Sequence, residues 1–192
     1  MSIRLKGVKQ KSLYKFIPKT KEELKQLIAD RIKSEGPNCD LNDIDVSNIT
    51  NMTWLFENSK FNGDISEWNV SNVKDMSVMF YGSKFNRDIS KWDVSKVINM
   101  SGMFYNSSFN RDISNWDVSN VIDMSYMFRN AKFNKDISKW DVSNVKTMTG
   151  MFTNSKFNGD ISKWNTNNLV LAVNTLKGCP LESNPPKWYK YS

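Results

Sequence analysis

The sequence predicts an α/β solenoid. Six stacked units of 24 residues, each a short strand plus a short helix, wind right-handed and are closed at one end by an N-terminal capping helix. Three observations carry this reading. The hexad F-N-x-D-I-S restarts at Phe61, Phe85, Phe109, Phe133 and Phe157, always 24 residues on. Copies are complete in the middle and degraded at both ends, as expected of stacked repeats whose outermost units turn one face to water. Thr20 and Glu23 open an amphipathic stretch with capping-box spacing just ahead of the first unit.

The elements follow in chain order. Residues 1–19 form a basic arm, with Arg4, Lys6, Lys9, Lys11, Lys15 and Lys19 and no acid. Residues 20–36 are the capping helix: Leu24, Leu27, Ile28 and Ile32 share one face, and Gly36-Pro37 ends it. That face is expected to lie across the open end of the first unit, where it also blocks edge pairing. Residues 37–180 hold the six units. Copies 61–84, 85–108, 109–132 and 133–156 are complete. Copy 157–180 decays, with Ala172 and Thr175 in the two Met places, and copy 37–60 has Pro37 for Phe and Ile44 for Trp. Residues 181–192, with Pro185, Pro186, Trp188, Tyr189 and Tyr191, are expected to cap the last unit.

Within a unit, Ile65, Trp68, Val70 and Val73 fall at i, i+3, i+5 and i+8. This is the spacing of a leucine-rich-repeat strand that follows a turn. Asp75 then precedes Met76, Met79 and Phe80, which reads as an N-cap and about one and a half turns of helix. Asn51, Asn99, Asp123 and Thr147 repeat the cap. Stacking at a strand spacing of about 4.8 Å puts Trp on Trp, Met on Met and Phe on Phe, in a rod about 30 Å long. The two Met columns and the column Trp68, Trp92, Trp116, Trp140, Trp164 are therefore assigned to the core, ahead of a metal groove or a sugar platform. The column Asp40, Asp64, Asp88, Asp112, Asp136, Asp160 is expected to bond its own turn backbone rather than calcium, because the glycine-rich nonapeptide of a calcium β-roll is missing. Ser71, Asn72 and their equivalents are assigned to loop backbone.

Composition narrows the function. The chain has no histidine, which removes the commonest general base and metal ligand. No Walker loop, nucleophile elbow or metal signature occurs, so no enzyme, cofactor or metal site is expected. Cys39 and Cys179 sit in opposite terminal copies, too far apart for an intrachain disulfide. No apolar run is long enough to span a membrane, and the N-terminus lacks the apolar core of a signal peptide, so a cytoplasmic monomer is expected. The net charge of +7 divides into +6 over residues 1–36, zero over 37–180 and +1 over 181–192. The arm is suited to weak, unspecific phosphate contact. The favoured reading of it is plainer: a solubilising tail, or a strand with Leu13, Tyr14, Phe16 and Ile17 packed on the cap.

The repeat F-N-x-D-I-S-x-W-D-V-S-N-V-x-x-M-S-x-M-F resembles the roughly 25-residue repeat of the BspA-like leucine-rich-repeat family of bacterial proteins, over about residues 19–190. The flanks TKEELKQLI and NPPKWYK are similar to those of its short stand-alone members. The resemblance implies an interaction scaffold without catalytic residues. Many such relatives are secreted or lipid-anchored surface adhesins, a role that applies here if a leader was removed.

Function in such a frame resides in the columns that vary. Between the two Met positions stand Trp54 and Tyr126; after the Phe stand Tyr81, Tyr105 and Arg129; before the Asp stand Arg87, Arg111 and Lys135. These side-chain types dominate interface hot spots. They are the candidate partner-binding residues. The expected ligand is a protein, acidic by complementarity, with nucleic acid on the arm as the alternative.

Overall fold

Short polar side chains set each corner of the chain by accepting from the backbone two residues on. In the third unit Asp88 Oδ1 accepts from the Ser90 N–H (2.9 Å), Asp93 from Ser95 (3.1 Å) and Asn99 from Ser101 (2.9 Å). Ser83 Oγ turns the chain into the unit by accepting from the Phe85 N–H at 3.1 Å. The triplets D-I-S, D-V-S and N-M-S are these corners written in sequence. Between them Ile89, Trp92, Val94, Val97, Met100, Met103 and Phe104 are buried. The computed structural model describes residues 14–190.

One unit cannot cover that apolar surface, so the next one does. Asn51, Asp75, Asn99, Asp123, Thr147 and Leu171 pair successively as single parallel bridges, in the 24-residue register. Phe56, Phe80, Phe104, Phe128 and Phe152 stack with centroids 5.3, 5.6, 5.7 and 5.8 Å apart and planes within 7°. A second Phe column beside it, Phe85 to Phe109 to Phe133, repeats at 6.3 Å. The Trp column lies in the core as expected, and each indole N–H reaches a backbone carbonyl 27 residues back. Trp92 donates to Ile65, Trp116 to Ile89 and Trp140 to Ile113, all at 3.1 Å. Asparagines make a third ladder: Asn62 Oδ1 accepts from the Asn86 N–H and Asn86 Oδ1 from the Asn110 N–H, both at 2.9 Å.

The units differ from expectation in one respect. The short helix after Asp75, and its equivalents after Asn51, Asn99, Asp123 and Thr147, does not form, and pairing between units is limited to single bridges rather than extended strands. The cause is backbone conformation. Val78 has φ 53° and Gly82 φ 64°, left-handed values that end a right-handed helix after one turn. The segment becomes linked tight turns, with Met79 N–H on Met76 O (3.2 Å) and Ser83 N–H on Phe80 O (3.1 Å). A helix keeps its N–H groups for itself. Here every second one leaves the unit: Met76, Val78, Phe80 and Gly82 donate to the carbonyls of Asn99, Ser101, Met103 and Tyr105 at 2.8–3.0 Å. Interlayer bonding has replaced helical bonding.

The capping helix α1 spans Lys21–Glu35. Thr20 Oγ1 accepts from the Glu23 N–H (3.1 Å), and the Glu23 carboxylate accepts from the Lys19 N–H (2.7 Å). Leu24 and Ile28 are buried, with Leu27 and Ile32 packed beside them. Arg31 ties α1 to the first unit, donating to Asp43 Oδ1 (2.9 Å) and to the Asp40 carbonyl (2.8 Å). Its guanidinium also lies 5.5 Å from the Phe16 ring. Phe16 forms a parallel bridge with Ile44, so this end of the basic segment belongs to the cap. The rest of the arm, residues 1–13, lies outside the described residues.

The C-terminal cap is itself a partial copy. Trp188 falls 24 residues after Trp164, stacks on it at 6.2 Å and donates to the Ile161 carbonyl at 2.8 Å. Leu181 stands 24 residues after Phe157 and packs against the core. A single 3-10 turn, Pro180–Ser183, joins this half-copy to the last unit. Tyr191 lies outside the described residues. Cys39 and Cys179 are both buried and free.

Candidate functional site

The linked turns after the bridge column build one corner of the stack, and this corner carries the surface chemistry. Trp54, Val78, Gly102, Tyr126 and Gly150 occupy the same place in successive units, at φ 61°, 53°, 60°, 59° and 62°. Glycine adopts that conformation freely, whereas a bulky L-residue loses about 1–2 kcal/mol in it. A glycine in the next unit makes room for Tyr126 and for Val78. A Cβ on Gly150 would lie 2.7 Å from the Tyr126 ring, and one on Gly102 would lie 2.9 Å from Val78. Trp54 and Tyr126 are nonetheless 45% and 38% exposed, so the strain does not serve core packing.

From there a continuous row runs along the stack. Trp54 meets Tyr81 edge-on with centroids 6.3 Å apart, and Tyr81 meets Tyr105 at 5.0 Å and 88°. The spacing expected from stacking is observed, in the edge-to-face geometry that ring quadrupoles prefer. The Arg129 guanidinium then lies 5.6 Å from the Tyr105 ring and 5.5 Å from the Tyr126 ring. Its Nε is buried and has no hydrogen-bond partner among the described residues, so the two rings supply what holds it. At the Trp54 end the row opens into a cleft walled by Lys21, Glu22 and Lys25 of α1 and by Thr53 and Glu57. Five of the eight candidate residues thus come together: Trp54, Tyr81, Tyr105, Tyr126 and Arg129.

The other three lie apart. Arg87 and Arg111 line a polar groove with Asp64 and Asp88, and Lys135 extends it beside Asp112 and Asp136. Arg87 Nε donates to the Asn62 carbonyl and Arg111 Nε to the Asn86 carbonyl, both at 2.9 Å. No hydrogen bond or cation–π contact joins these three to the aromatic row among the described residues.

The Asp column behaves as a turn-forming ladder. The Ser90 N–H, then its hydroxyl, holds the Asp88 carboxyl below its ordinary value; Ser114 and Ser138 do the same for Asp112 and Asp136. At Asp160 the Ser162 hydroxyl is the leading cause, and its N–H adds to it. Burial opposes the shift at Asp64, but bonds from Ser66 and Asn42 outweigh it. No group of three acidic or thiol side chains placed to hold a metal ion occurs among the described residues. No helix among them is long and apolar enough to cross a membrane.

One feature of the corner escaped the sequence reading. Within the balanced body, charge is segregated by position in the unit. The corner segments 51–60, 75–84, 99–108, 123–132, 147–156 and 171–180 carry Lys60, Lys84, Arg129, Lys132, Lys156 and Lys177 against Glu57, Asp75 and Asp123, a net +3. The remaining segments from 61 to 170 carry nine basic and nine acidic residues, and the compensating −3 is Asp40, Asp43 and Asp45 of the first unit. Counting charge by column instead of by segment reveals it.

Regular stacking, 24-residue aromatic periodicity and a single N-terminal helix define a repeat protein. The chain belongs to the family described as "Mycoplasma protein of unknown function, DUF285", whose model matches residues 23–132 and again residues 105–188. No curated protein and no solved structure matches it.

Proposed function

We propose that the chain is a non-catalytic protein-binding module, a right-handed leucine-rich-repeat-like solenoid of the BspA-like kind that binds through the turn corner. The observation that carries this reading is the pair Trp54 and Tyr126, bulky, exposed and held at positive φ in a place that Gly102 and Gly150 fill in two other units and Val78 in a third. Strain of that kind is retained where a side chain has a use at the surface. Tyr81, Tyr105 and Arg129 extend the pair into a continuous patch of the residue types that anchor interfaces. The groove at Arg87, Arg111 and Lys135 is a weaker candidate, because its cations are matched by the adjacent Asp column.

The test is affinity capture from the native source with quantitative mass spectrometry. Four baits are compared: the full chain, Tyr81→Ala/Tyr105→Ala, Arg87→Gln/Arg111→Gln, and a chain lacking residues 1–13. The deletion stops there because Phe16 is paired with the first unit. The reading requires a protein retained by the full chain, the groove variant and the deletion, and lost from the tyrosine variant. Loss from the deletion alone would transfer binding to the basic arm.

A further inference from the structure

We propose that the turn corner takes an acidic, extended segment of its protein partner, laid along the stack axis with one end in the cleft between α1 and Trp54. The inference deepens the protein-binding reading and rests on it. Three observations give the partner its chemistry.

Charge comes first. The corner carries the excess positive charge of the repeat body, with Lys60, Lys84, Lys132 and Lys156 recurring at one position and exposed. Each stands three or more residues past the aromatic row, on the same corner segment. Of the opposing acids, Asp75 and Asp123 already accept from the Ser77 and Ser125 N–H groups at 2.8 and 2.7 Å. None of these four lysines is in an ion pair among the described residues. An acidic segment supplies the missing counter-charge and gains encounter rate from it.

Shape comes second. The row runs along four units, roughly 15–20 Å at strand spacing, which an extended segment of about five or six residues spans. The rings meet edge-on along it and offer contact area with little side-chain entropy to lose. Their edge-to-face packing leaves no run of parallel open ring faces on which successive nucleobases would stack, which favours a peptide over single-stranded nucleic acid.

The cleft comes third. Lys21 and Lys25 face Trp54 across it, and Lys21 Nζ donates to Thr53 Oγ1 at 3.0 Å. Glu22 and Glu57 line the cleft as well, so it is balanced in charge, and what it offers the end of the segment is the Trp54 ring as an apolar wall with the α1 lysines at its edge.

The experiment uses the full chain and labelled polymers read by fluorescence anisotropy. The probes are a glutamate–tyrosine 4:1 copolymer, a lysine–tyrosine 4:1 copolymer and a 20-mer of thymidylate. Binding of the glutamate copolymer is expected, weakening between about 50 and about 300 mM salt as exposed charge pairs are screened. Tyr81→Ala/Tyr105→Ala and, separately, Lys84→Gln/Lys132→Gln/Lys156→Gln are each expected to weaken it about fivefold or more. Arg87→Gln/Arg111→Gln is expected to leave it within twofold, about the scale of a near-neutral contact. No binding of the glutamate copolymer, or tighter binding of the lysine copolymer or the thymidylate, overturns the proposal. A parallel selection from random displayed dodecapeptides separates the two readings. Neutral or basic winners that lose binding in the tyrosine variant keep the corner and overturn the acidic class; winners that bind both variants equally overturn the corner itself.

Discussion

Truncating Trp116 to alanine tests the stack at its middle. The side chain is 3% exposed, packs 6.4 Å from Phe104 and donates its Nε1 proton to the Ile89 carbonyl at 3.1 Å. Removing a buried aromatic of this size costs about 3–5 kcal/mol. Part of that is the hydrogen bond: Trp116→Phe keeps most of the ring but strands the Ile89 carbonyl, at about 1–3 kcal/mol. The alanine variant is therefore expected to lose clearly more than the phenylalanine variant. Against a total stability of about 5–15 kcal/mol, the alanine loss is large enough to measure by urea unfolding. Intact units remain on both sides of the hole, so the transition should also broaden as the two halves uncouple. Far-UV dichroism and fluorescence of the six remaining tryptophans give two probes of the same transition. A loss below about 1 kcal/mol would show that the Trp column does not hold the units together and would refute the stacking argument.

Three further outcomes follow from the corners and the cap. Gly150→Ala places a methyl group 2.7 Å from the Tyr126 ring at φ 62°; a loss of about 1 kcal/mol or more is expected, with a changed Tyr126 environment by NMR, and a neutral substitution would contradict the seat. The carboxyls of Asp64, Asp88, Asp93, Asp112, Asp136, Asp141 and Asp160 all have folded values below their ordinary ones, so their stabilisation is complete above about pH 4 and is lost as pH falls through the lower folded values. The urea midpoint should fall as pH drops from about 5 towards 2, and asparagine at Asp112 and Asp136, which keeps the turn bonds, should flatten that limb; a midpoint that holds or rises would contradict the assignment. Far-UV dichroism should show the helix content of the 15-residue α1 and little more, whereas a helix in every unit would give several times that signal.

Most of the architecture was legible because it is written in repetition. The restart of F-N-x-D-I-S fixed the register, and Thr20 with Glu23 marked the start of α1. The Asp column was read as turn-bonding, and the Ser90 and Ser114 N–H groups bond Asp88 and Asp112 at 2.9 Å. The unit helix was misread because Asp75-Met76-Ser77 fits an N-cap and an Asx turn equally well. The deciding signal lay downstream. Asn58, Gly82, Asn106, Asn130, Asn154 and Gly178 form a column of asparagine and glycine alone, which is the signature of a left-handed residue. Trp188 could have been placed by adding one period to Trp164. At the site, ring spacing along the row followed from the register, but the separation of Arg87, Arg111 and Lys135 from the rings did not. It depends on how much the chain turns between Tyr81 and Arg87, and that is set by the corners at Gly82 and Ser83.

If the aromatic and basic turn corner is the binding surface, amide NMR will locate a ligand there. A 15N-labelled full chain is titrated with the glutamate–tyrosine copolymer and followed residue by residue. Shifts are expected to concentrate at residues 53–58, 77–84, 101–106 and 125–132 and in the indole N–H of Trp54, with the buried indoles of Trp92 and Trp116 unmoved. Shifts concentrated instead at Asp88–Lys91 and Arg111–Asn115, or confined to residues 1–13, would contradict it.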